Sequence, residues 1–409
     1  MEQDTQKRLF ISQKSLSQAI IDQFRIICAE LKKSTIFNQN KTMNKILLTL
    51  LVICLNCNIF AQNVSLKQDK IIYYGKEHFI IEGSGIPEQE KESPYDRLPL
   101  ASKEKVRKAV WDLSKNSAGI TIRFFSNSSQ IKIKWDLLND TRMNHMAETG
   151  IKGVDLYTRV NGEWKYVNTG KPTGKNNEAG LVSTLSKENR EFKVWLPLYD
   201  GVTKLEIGID SLASIEKPMA SNKLPIVFYG TSITQGGCAS RTGMAYTTII
   251  SRKMDVDCIN LGFSGNGKME SAVVDVIAGI KASFYVIDCL PNMTVAEVTE
   301  RVGPLAQNLR AGNENTPIVF VENIEYSKIF YEEATRKLIQ DKNDALKAEF
   351  EKLQKLGMKN IHYISAKNAI GNDNEATVDG VHLTDLGYMR MADHLIKEFN
   401  KKNIRIKTE

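Results

Sequence analysis

The apolar residues between positions 62 and 210 recur with the two-residue period that is typical of β-strands. Residues 131–136 alternate as Ile-Lys-Ile-Lys-Trp-Asp, which predicts a strand with one buried face. Similar strands are predicted at Gly119–Phe125, Gly153–Val160, Phe192–Leu198 and Thr203–Ile209. Turn residues separate them at Asn161-Gly162 and in the polar stretch 170–180. Many short strands with turns between them predict an all-β, jelly-roll-like sandwich domain over residues 62–210.

The pattern changes at residue 224 to short apolar strands that alternate with longer helical stretches. The strands are predicted at Ile226–Tyr229, Cys258–Leu261, Phe284–Leu290, Ile318–Ile324 and Ile361–Ile364. The longest helix is predicted over 331–356, and Gly357 is suited to end it at the C′ position. Its leucines approach helical spacing at Leu338, Leu346, Leu353 and Leu356. We therefore expect an α/β domain over 224–409, with a parallel sheet covered on both faces, and a linker at 211–223.

Residues 43–61 have the pattern of a secretory signal peptide. Lys45 precedes a short apolar run, and Ala61 stands before a cleavage site at Gln62. The run is too short for a stable membrane span, and a buried helix is the alternative. Such a signal stands at the beginning of a translated protein. This interpretation therefore makes Met43 the first translated residue and residues 1–42 mis-annotated upstream sequence. The alternative is that residues 1–42 are a genuine N-terminal extension. We expect export to the periplasm or the medium.

Composition and charge exclude some partners. The chain has 42% hydrophobic and 25% charged residues, as is normal for globular proteins. Its net charge is +7, but residues 62–409 have 47 Lys and Arg against 44 Asp and Glu, or +3. This balance indicates no nucleic-acid partner. Cys238, Cys258 and Cys289 follow the predicted cleavage site, an odd number for an exported protein. A Cys238–Cys289 disulfide near the rim of the active site is one expectation, and buried free thiols are the alternative.

A candidate nucleophile follows the first strand of the α/β region. Ser232 lies in Gly-Thr-Ser-Ile-Thr at 230–234, directly after the apolar run 226–229. The carboxyl ends of the strands line the ligand crevice of open α/β sheets, so this hydroxyl is expected there. A serine needs a base. Asp379, three residues before His382, can orient that imidazole and stabilise its protonated form.

Two further segments can supply hydrogen-bond donors to an oxyanion. Gly262 lies in Asn-Leu-Gly-Phe-Ser-Gly at 260–265, and Asn292 lies in Leu-Pro-Asn-Met at 290–293. Taken singly, Gly262 could be a turn glycine and Asn292 a helix N-cap. Together with the serine and histidine they form the layout of an acyl hydrolase. No Cys-x-x-Cys or His-Glu-x-x-His occurs in residues 62–409, so no metal or other cofactor is predicted.

In these motifs the chain resembles the SGNH (GDSL-like) hydrolases, which are named for Ser, Gly, Asn and His in four separate blocks. The matching positions are Ser232, Gly262, Asn292 and His382, in the family's order, with Asp379 as the histidine's partner. The resemblance covers about residues 224–400 and implies a flavodoxin-like three-layer fold. It implies Ser232 as nucleophile, His382 as general base, and an oxyanion hole of the Ser232 and Gly262 N–H groups and the Asn292 side chain. The first block departs from Gly-Asp-Ser-Leu, and the third from Gly-x-Asn-Asp.

The stretch Met143–Gly150 resembles the N-terminal domain of one secreted group of these hydrolases. By analogy with that group, the chain is expected to remove short acyl groups, foremost acetyl, from a carbohydrate or another small ester. The alternatives are a lipid or lysophospholipid esterase, a thioesterase, an O-acetyltransferase, and a glycan-binding protein without activity. Intact Ser232, Asp379 and His382 favour an enzyme over a binding protein.

Overall fold

Two antiparallel sheets form the first part of the computed structural model, which describes residues 70–409. Their strands are β1 (Ile71–Tyr74), β2 (Ile80–Glu82), β3 (Thr121–Ser126), β4 (Ile131–Leu137), β5 (Val154–Val160), β6 (Glu163–Gly170), β7 (Asn176–Val182), β8 (Arg190–Trp195), β9 (Val202–Asp210) and β10 (Ile215–Glu216). One sheet has the order β1-β9-β4-β7, and the other has the order β10-β3-β8-β5-β6 with β2 beside β3. Short helices α1 (Lys108–Ser114) and α2 (Glu148–Ile151) lie in the connections.

The two sheets enclose one apolar core, as the two-residue period predicts. Buried and half-buried positions alternate along the whole of β4. Ile133 and Trp135 from one sheet pack in the same cluster as Phe124 and Val194 from the other. The predicted β-sandwich is therefore confirmed.

The turns of the sandwich agree in part with the sequence. Asn161 and Gly162 have φ angles of +52° and +83° and join β5 to β6 in a tight hairpin, as Asn-Gly predicts. The prediction of a turn over 170–180 is partly wrong, because residues 176–180 belong to β7. That strand begins with three polar residues, and its pairing with β4 decides its conformation.

The parallel sheet begins at β11 and carries helices on both faces. Its strands are β11 (Ile226–Gly230), β12 (Cys258–Gly262), β13 (Phe284–Asp288), β14 (Ile318–Val321) and β15 (Ile361–Ile364). The order is β12-β11-β13-β14-β15, which is the flavodoxin-like order. All five predicted strands are present, and β13 and β14 end two and three residues earlier than predicted. Phe228 and Tyr229 lie in two different core clusters, one on each face of the sheet.

Six helices belong to this region: α3 (Ser232–Gln235), α4 (Tyr246–Met254), α5 (Ser271–Ala278), α6 (Val295–Gly312), α7 (Glu333–Lys355) and α8 (Asp385–Lys401). The predicted long helix is α7, and Gly357 ends it at φ +83°. Leu346 and Leu353 are buried, whereas Leu338 and Leu356 are exposed. Every helix in the described part of the chain is too short or too polar to traverse a bilayer.

The sandwich and the parallel-sheet region pack together, and residues 71–409 form one compact unit. The stretch predicted as a linker, 211–223, includes β10, which pairs with β3. Arg97 is fully buried and donates hydrogen bonds to the carbonyl oxygens of Asn260 and Gly262, at 3.0 and 2.6 Å. The sandwich thus supports the end of β12 directly. The predicted signal peptide at 43–61 lies outside the described residues.

Candidate active site

Ser232 lies in the first turn of α3, immediately after β11. The Thr231 side chain accepts the Ile233 N–H, and Thr234 Oγ1 accepts the Thr231 N–H, both at 3.3 Å. Gly230 is required here because a Cβ at that position would lie 1.9 Å from Thr234 Oγ1. This close strand-to-helix turn places Ser232 at the carboxyl edge of the sheet. Its N–H, in the first turn of the helix, has no acceptor within the helix.

Ser232, His382 and Asp379 form one hydrogen-bonded chain. Ser232 Oγ lies 2.9 Å from His382 Nε2, and His382 Nδ1 lies 2.7 Å from Asp379 Oδ2. Asp379 Oδ1 accepts the backbone N–H groups of Val381 and His382, at 3.0 and 2.8 Å. Burial raises the pKa of Asp379, but the hydrogen bonds from His382 and Val381 outweigh it and lower this pKa to about 2. An ionised Asp379 therefore holds the imidazole with Nε2 towards the serine.

Asn292 lies in the turn after β13, with one end of its carboxamide fixed. Its Oδ1 accepts the Gly267 N–H at 3.2 Å. Within residues 70–409 its Nδ2 donates to no protein atom, so that this group can act as a donor to a bound ligand.

Gly262 does not have the position that the sequence predicted for it. Its N–H donates to Asn260 Oδ1 at 2.9 Å, and a Cβ on Gly262 would lie 2.2 Å from the Gln235 nitrogen. The residue is thus buried beneath α3. Its N–H is not available to an oxyanion, and its prediction as a donor is wrong. A glycine is needed here for the close contact between β12 and α3.

The loop 263–267 crosses the end of β11 and contains another donor. A Cβ on Gly267 would lie only 2.0 Å from the Gly230 carbonyl oxygen. Four of the five N–H groups in this loop have acceptors, at 2.8–3.2 Å. Gly265, which is exposed and has φ +69°, is the fifth, and its N–H has no acceptor within residues 70–409. Spacing along the sequence did not distinguish Gly265 from Gly262, since the two glycines lie three residues apart at the end of the same strand.

A buried carboxylate braces the nucleophile turn. Asp288, at the end of β13, accepts hydrogen bonds from Tyr246 OH at 2.9 Å and Thr234 Oγ1 at 3.2 Å. Burial raises the pKa of Asp288 to about 7, although both hydrogen bonds lower it. Through Thr234 this side chain contacts the turn that carries Ser232.

The β-sandwich contributes side chains at the active site that the sequence did not identify. Tyr199 OH donates to the Ser232 carbonyl oxygen at 3.3 Å. The His145 ring lies with its centroid 5.8 Å from that of His382. His145 belongs to the stretch 143–150 that the resemblance singled out, but no local pattern shows that it faces another histidine.

Cys238 and Cys289 are free thiols, and the predicted disulfide is wrong. Cys289 is fully buried in the core, where its thiol donates to the Tyr229 carbonyl oxygen at 3.5 Å, and it does not line the rim. Cys238 lies beside Asp379 and His382, within 4.8 Å between ligand atoms. Burial, and after it the Asp379 carboxylate, raise the pKa of Cys238 to about 12. The Cys238 thiol is therefore protonated at neutral pH and does not compete with the serine as a nucleophile.

Comparisons with known proteins agree with this geometry. The model of the GDSL-like lipase/acylhydrolase family matches residues 223–400, and that of the N-terminus of SGNH-hydrolase-type esterases matches residues 71–215. A solved structure described as a GDSL-like lipase from Bacteroides ovatus is 34% identical, with a TM-score of 0.79. The match covers 83% of this chain and 100% of that one. The chain belongs to the GDSL-like lipase/acylhydrolase family. The predicted resemblance and the predicted fold class are thereby confirmed.

This GDSL-like hydrolase shares its fold with more distant structures. A salicylyl-acyltransferase from a tetracycline biosynthetic pathway is 17% identical, with a TM-score of 0.68 over 82% of this chain and 98% of that one. A family two carbohydrate esterase from Cellvibrio japonicus is 14% identical, with a TM-score of 0.52 over 81% and 97%. The comparison with curated proteins gave no match. At these identities the likeness concerns the fold alone.

Proposed function

We propose that this GDSL-like hydrolase is an exported serine esterase that removes acetyl groups from a carbohydrate. The observation that carries the esterase assignment is the hydrogen-bonded chain Ser232–His382–Asp379, with contacts of 2.9 and 2.7 Å. In this order the imidazole can accept the serine proton while the carboxylate holds its other nitrogen. Export rests on the signal pattern at 43–61.

The proposed reaction has two halves. Ser232 Oγ attacks the ester carbonyl carbon as His382 Nε2 accepts its proton, and Asp379 stabilises the resulting imidazolium. The bond to the leaving alcohol then breaks, His382 donates the proton to that alcohol, and the acyl group remains on Ser232. Water attacks the acyl-enzyme with His382 again as base, releasing the acid and restoring the serine.

Three N–H donors that have no acceptor within residues 70–409 are assigned to the oxyanion that forms in each half. They are the Ser232 N–H, Asn292 Nδ2 and, in place of Gly262, the Gly265 N–H. Such donors stabilise charge that develops in the transition state, and they need no reorganisation when it forms.

Tight packing around the nucleophile supports a small acyl group. Ser232 is only 7% exposed. A Cβ on Gly237 would lie 2.9 Å from Tyr199 Oη and 3.1 Å from His382 Cδ2. A long acyl tail would have to displace these groups. We expect the specificity constant to be highest for p-nitrophenyl acetate and to fall towards the octanoate ester. A true acyl groove would instead stabilise the bound ester by about 0.8 kcal/mol per buried methylene. A specificity constant that rises steadily with chain length would therefore indicate a lipid esterase.

Two exposed aromatic side chains follow a segment that lies against the Asp379–His382 loop, and they support a carbohydrate substrate. Phe330 and Tyr331 are 80% and 74% exposed. Their segment contacts the catalytic loop, because a Cβ on Gly380 would lie 3.8 Å from the Lys328 side chain. Exposed apolar surface of this kind is typical of ligand-binding positions, and sugar rings pack on aromatic faces.

The experiment measures acetate release from a panel of acetylated polysaccharides and oligosaccharides. The Phe330→Ala/Tyr331→Ala variant should raise KM for the best carbohydrate ester and leave KM for p-nitrophenyl acetate unchanged. Leu356→Ala is the matched control, since Leu356 is 70% exposed at the far end of α7. If the wild type, the double variant and Leu356→Ala had equal KM values for the carbohydrate ester, the aromatic residues would no longer support a carbohydrate substrate.

Two further outcomes identify other functions. A fluorophosphonate probe should label the wild type and not the Ser232→Ala variant, whereas a glycan-binding protein without activity would not react. Acetyl transfer to an added sugar in preference to water would indicate an O-acetyltransferase.

A further inference from the structure

Four side chains of types that bind zinc meet at the edge of the active site. His145 comes from the sandwich, Cys238 from the segment after α3, and Asp379 and His382 from the loop before α8. One potential ligand atom of each lies within 4.8 Å of the others. Imidazole, thiolate and carboxylate are the usual zinc ligands in proteins. The proposed esterase mechanism uses Asp379 and His382 and gives no role to His145 or Cys238.

Both histidines have one ring nitrogen held by an oxygen atom. His145 Nδ1 lies 3.0 Å from Asn144 Oδ1, and His382 Nδ1 lies 2.7 Å from Asp379 Oδ2. A histidine that binds zinc usually donates its other N–H to such an oxygen, which fixes the orientation and tautomer of the ring. With Nδ1 as the donor, the Nε2 lone pair of each ring remains for a metal ion. Asp379 then acts as the outer partner of His382, not as a ligand.

The spacing of the group fits zinc after a small contraction. Zn–N bonds of about 2.0–2.1 Å and Zn–S bonds of about 2.3 Å place the ligand atoms of a tetrahedral site roughly 3.3–3.6 Å apart. Ligand atoms within 4.8 Å of one another must therefore approach by up to about 1.2–1.5 Å. His145 is exposed and can move by side-chain rotation. Cys238 is buried, and His382 is held by Ser232 and Asp379.

We propose that His145, Cys238 and His382 bind a zinc ion that reversibly switches off the esterase. The two Nε2 atoms each donate a lone pair to Zn²⁺, and Cys238 releases its proton to solvent as its sulfur–zinc bond forms. The His382 Nε2 lone pair is also the one that accepts the Ser232 proton, so zinc binding and catalysis exclude each other. The inhibitory effect rests on the proposed function, whereas the metal site itself does not.

The test is a zinc titration of the purified full chain, freed of metal, by calorimetry and by ester hydrolysis in parallel. One zinc ion per chain should bind, hydrolysis should fall in proportion to occupancy, and a chelator should restore it. Removing even an outer-shell partner typically weakens metal affinity about 10–100-fold. His145→Ala and Cys238→Ser should therefore each weaken it by at least that factor. His78→Ala, at a histidine whose ring meets Tyr74 edge-on outside the proposed site, is the control and should bind zinc like the wild type.

The outcomes separate the zinc site from the proposed function. The proposed site would be overturned if the wild type did not bind one zinc ion per chain. It would also be overturned if both His145→Ala and Cys238→Ser bound zinc with unchanged affinity. One-to-one binding without inhibition would overturn the switch. Ser232→Ala should bind zinc at least as tightly as the wild type, because the serine hydroxyl no longer competes for His382 Nε2. If that variant also hydrolysed the ester at the wild-type rate, the proposed mechanism would fail while the metal site remained.

Discussion

The Asn292 side chain gives the sharpest test of the proposed oxyanion site. Replacing Asn292 by alanine removes the Nδ2 donor and leaves the Gly267 N–H without its acceptor at 3.2 Å. Loss of one oxyanion donor typically costs about 2.7–4 kcal/mol, or about 10²–10³ in kcat. Because the donor acts on charge that develops only in the transition state, KM for p-nitrophenyl acetate should change little.

Asn292→Asp is the matched variant, since it keeps an oxygen for the Gly267 N–H while it removes the Nδ2 donor. A carboxylate there would also repel the oxyanion, so kcat should fall at least as far as in Asn292→Ala. Steady-state kinetics of both variants, with thermal unfolding to show that each is folded, provide the measurement. A near-normal kcat in Asn292→Asp, or a loss confined to KM in Asn292→Ala, would refute the oxyanion role.

Three other predictions follow from the structure, and a fourth follows from the signal pattern at residues 43–61. Ser232→Ala and His382→Ala should each abolish hydrolysis of p-nitrophenyl acetate, and the double variant should be little worse because the two groups act as a unit; an active Ser232→Ala enzyme would contradict the mechanism. The Asp288 pKa of about 7 in the folded protein, against about 3.9 unfolded, means that the folded state holds the extra proton. The free energy of unfolding should therefore fall by about 3 kcal/mol between pH 4 and 7 relative to Asp288→Asn, and equal changes in urea-unfolding free energy for the wild type and the variant would refute this. Arg97→Met removes the donor to buried carbonyl groups and should lower the free energy of unfolding by about 3 kcal/mol or more; a change below about 1 kcal/mol would show that those groups find other partners. When the protein is isolated from its own host, mass spectrometry should find a mature N-terminus within a few residues of Gln62. Detection of peptides from residues 1–42 would contradict a translation start at Met43.

Much of the fold and the main candidate site residues were evident from the sequence alone. A strand buried on one face has a two-residue period, as in residues 131–136, and a strand buried on both faces is apolar throughout, as in 226–229, so burial leaves a local pattern. Ser232 was identified because it directly follows such a strand. Asp379 and His382 were found as a pair because their three-residue spacing is itself local.

The tertiary structure decided which groups are available for chemistry. Gly262 ends β12 and Gly265 follows three residues later. Only the folded structure shows that Asn260 Oδ1 accepts the first N–H, whereas the second has no acceptor within residues 70–409. The predicted disulfide was wrong because Cys289 is enclosed in the core while Cys238 faces the active site. His145 approaches His382 from the connection between β4 and α2 in the sandwich. Contacts between distant segments depend on how whole elements pack, and such packing leaves no pattern in the neighbouring residues of either segment.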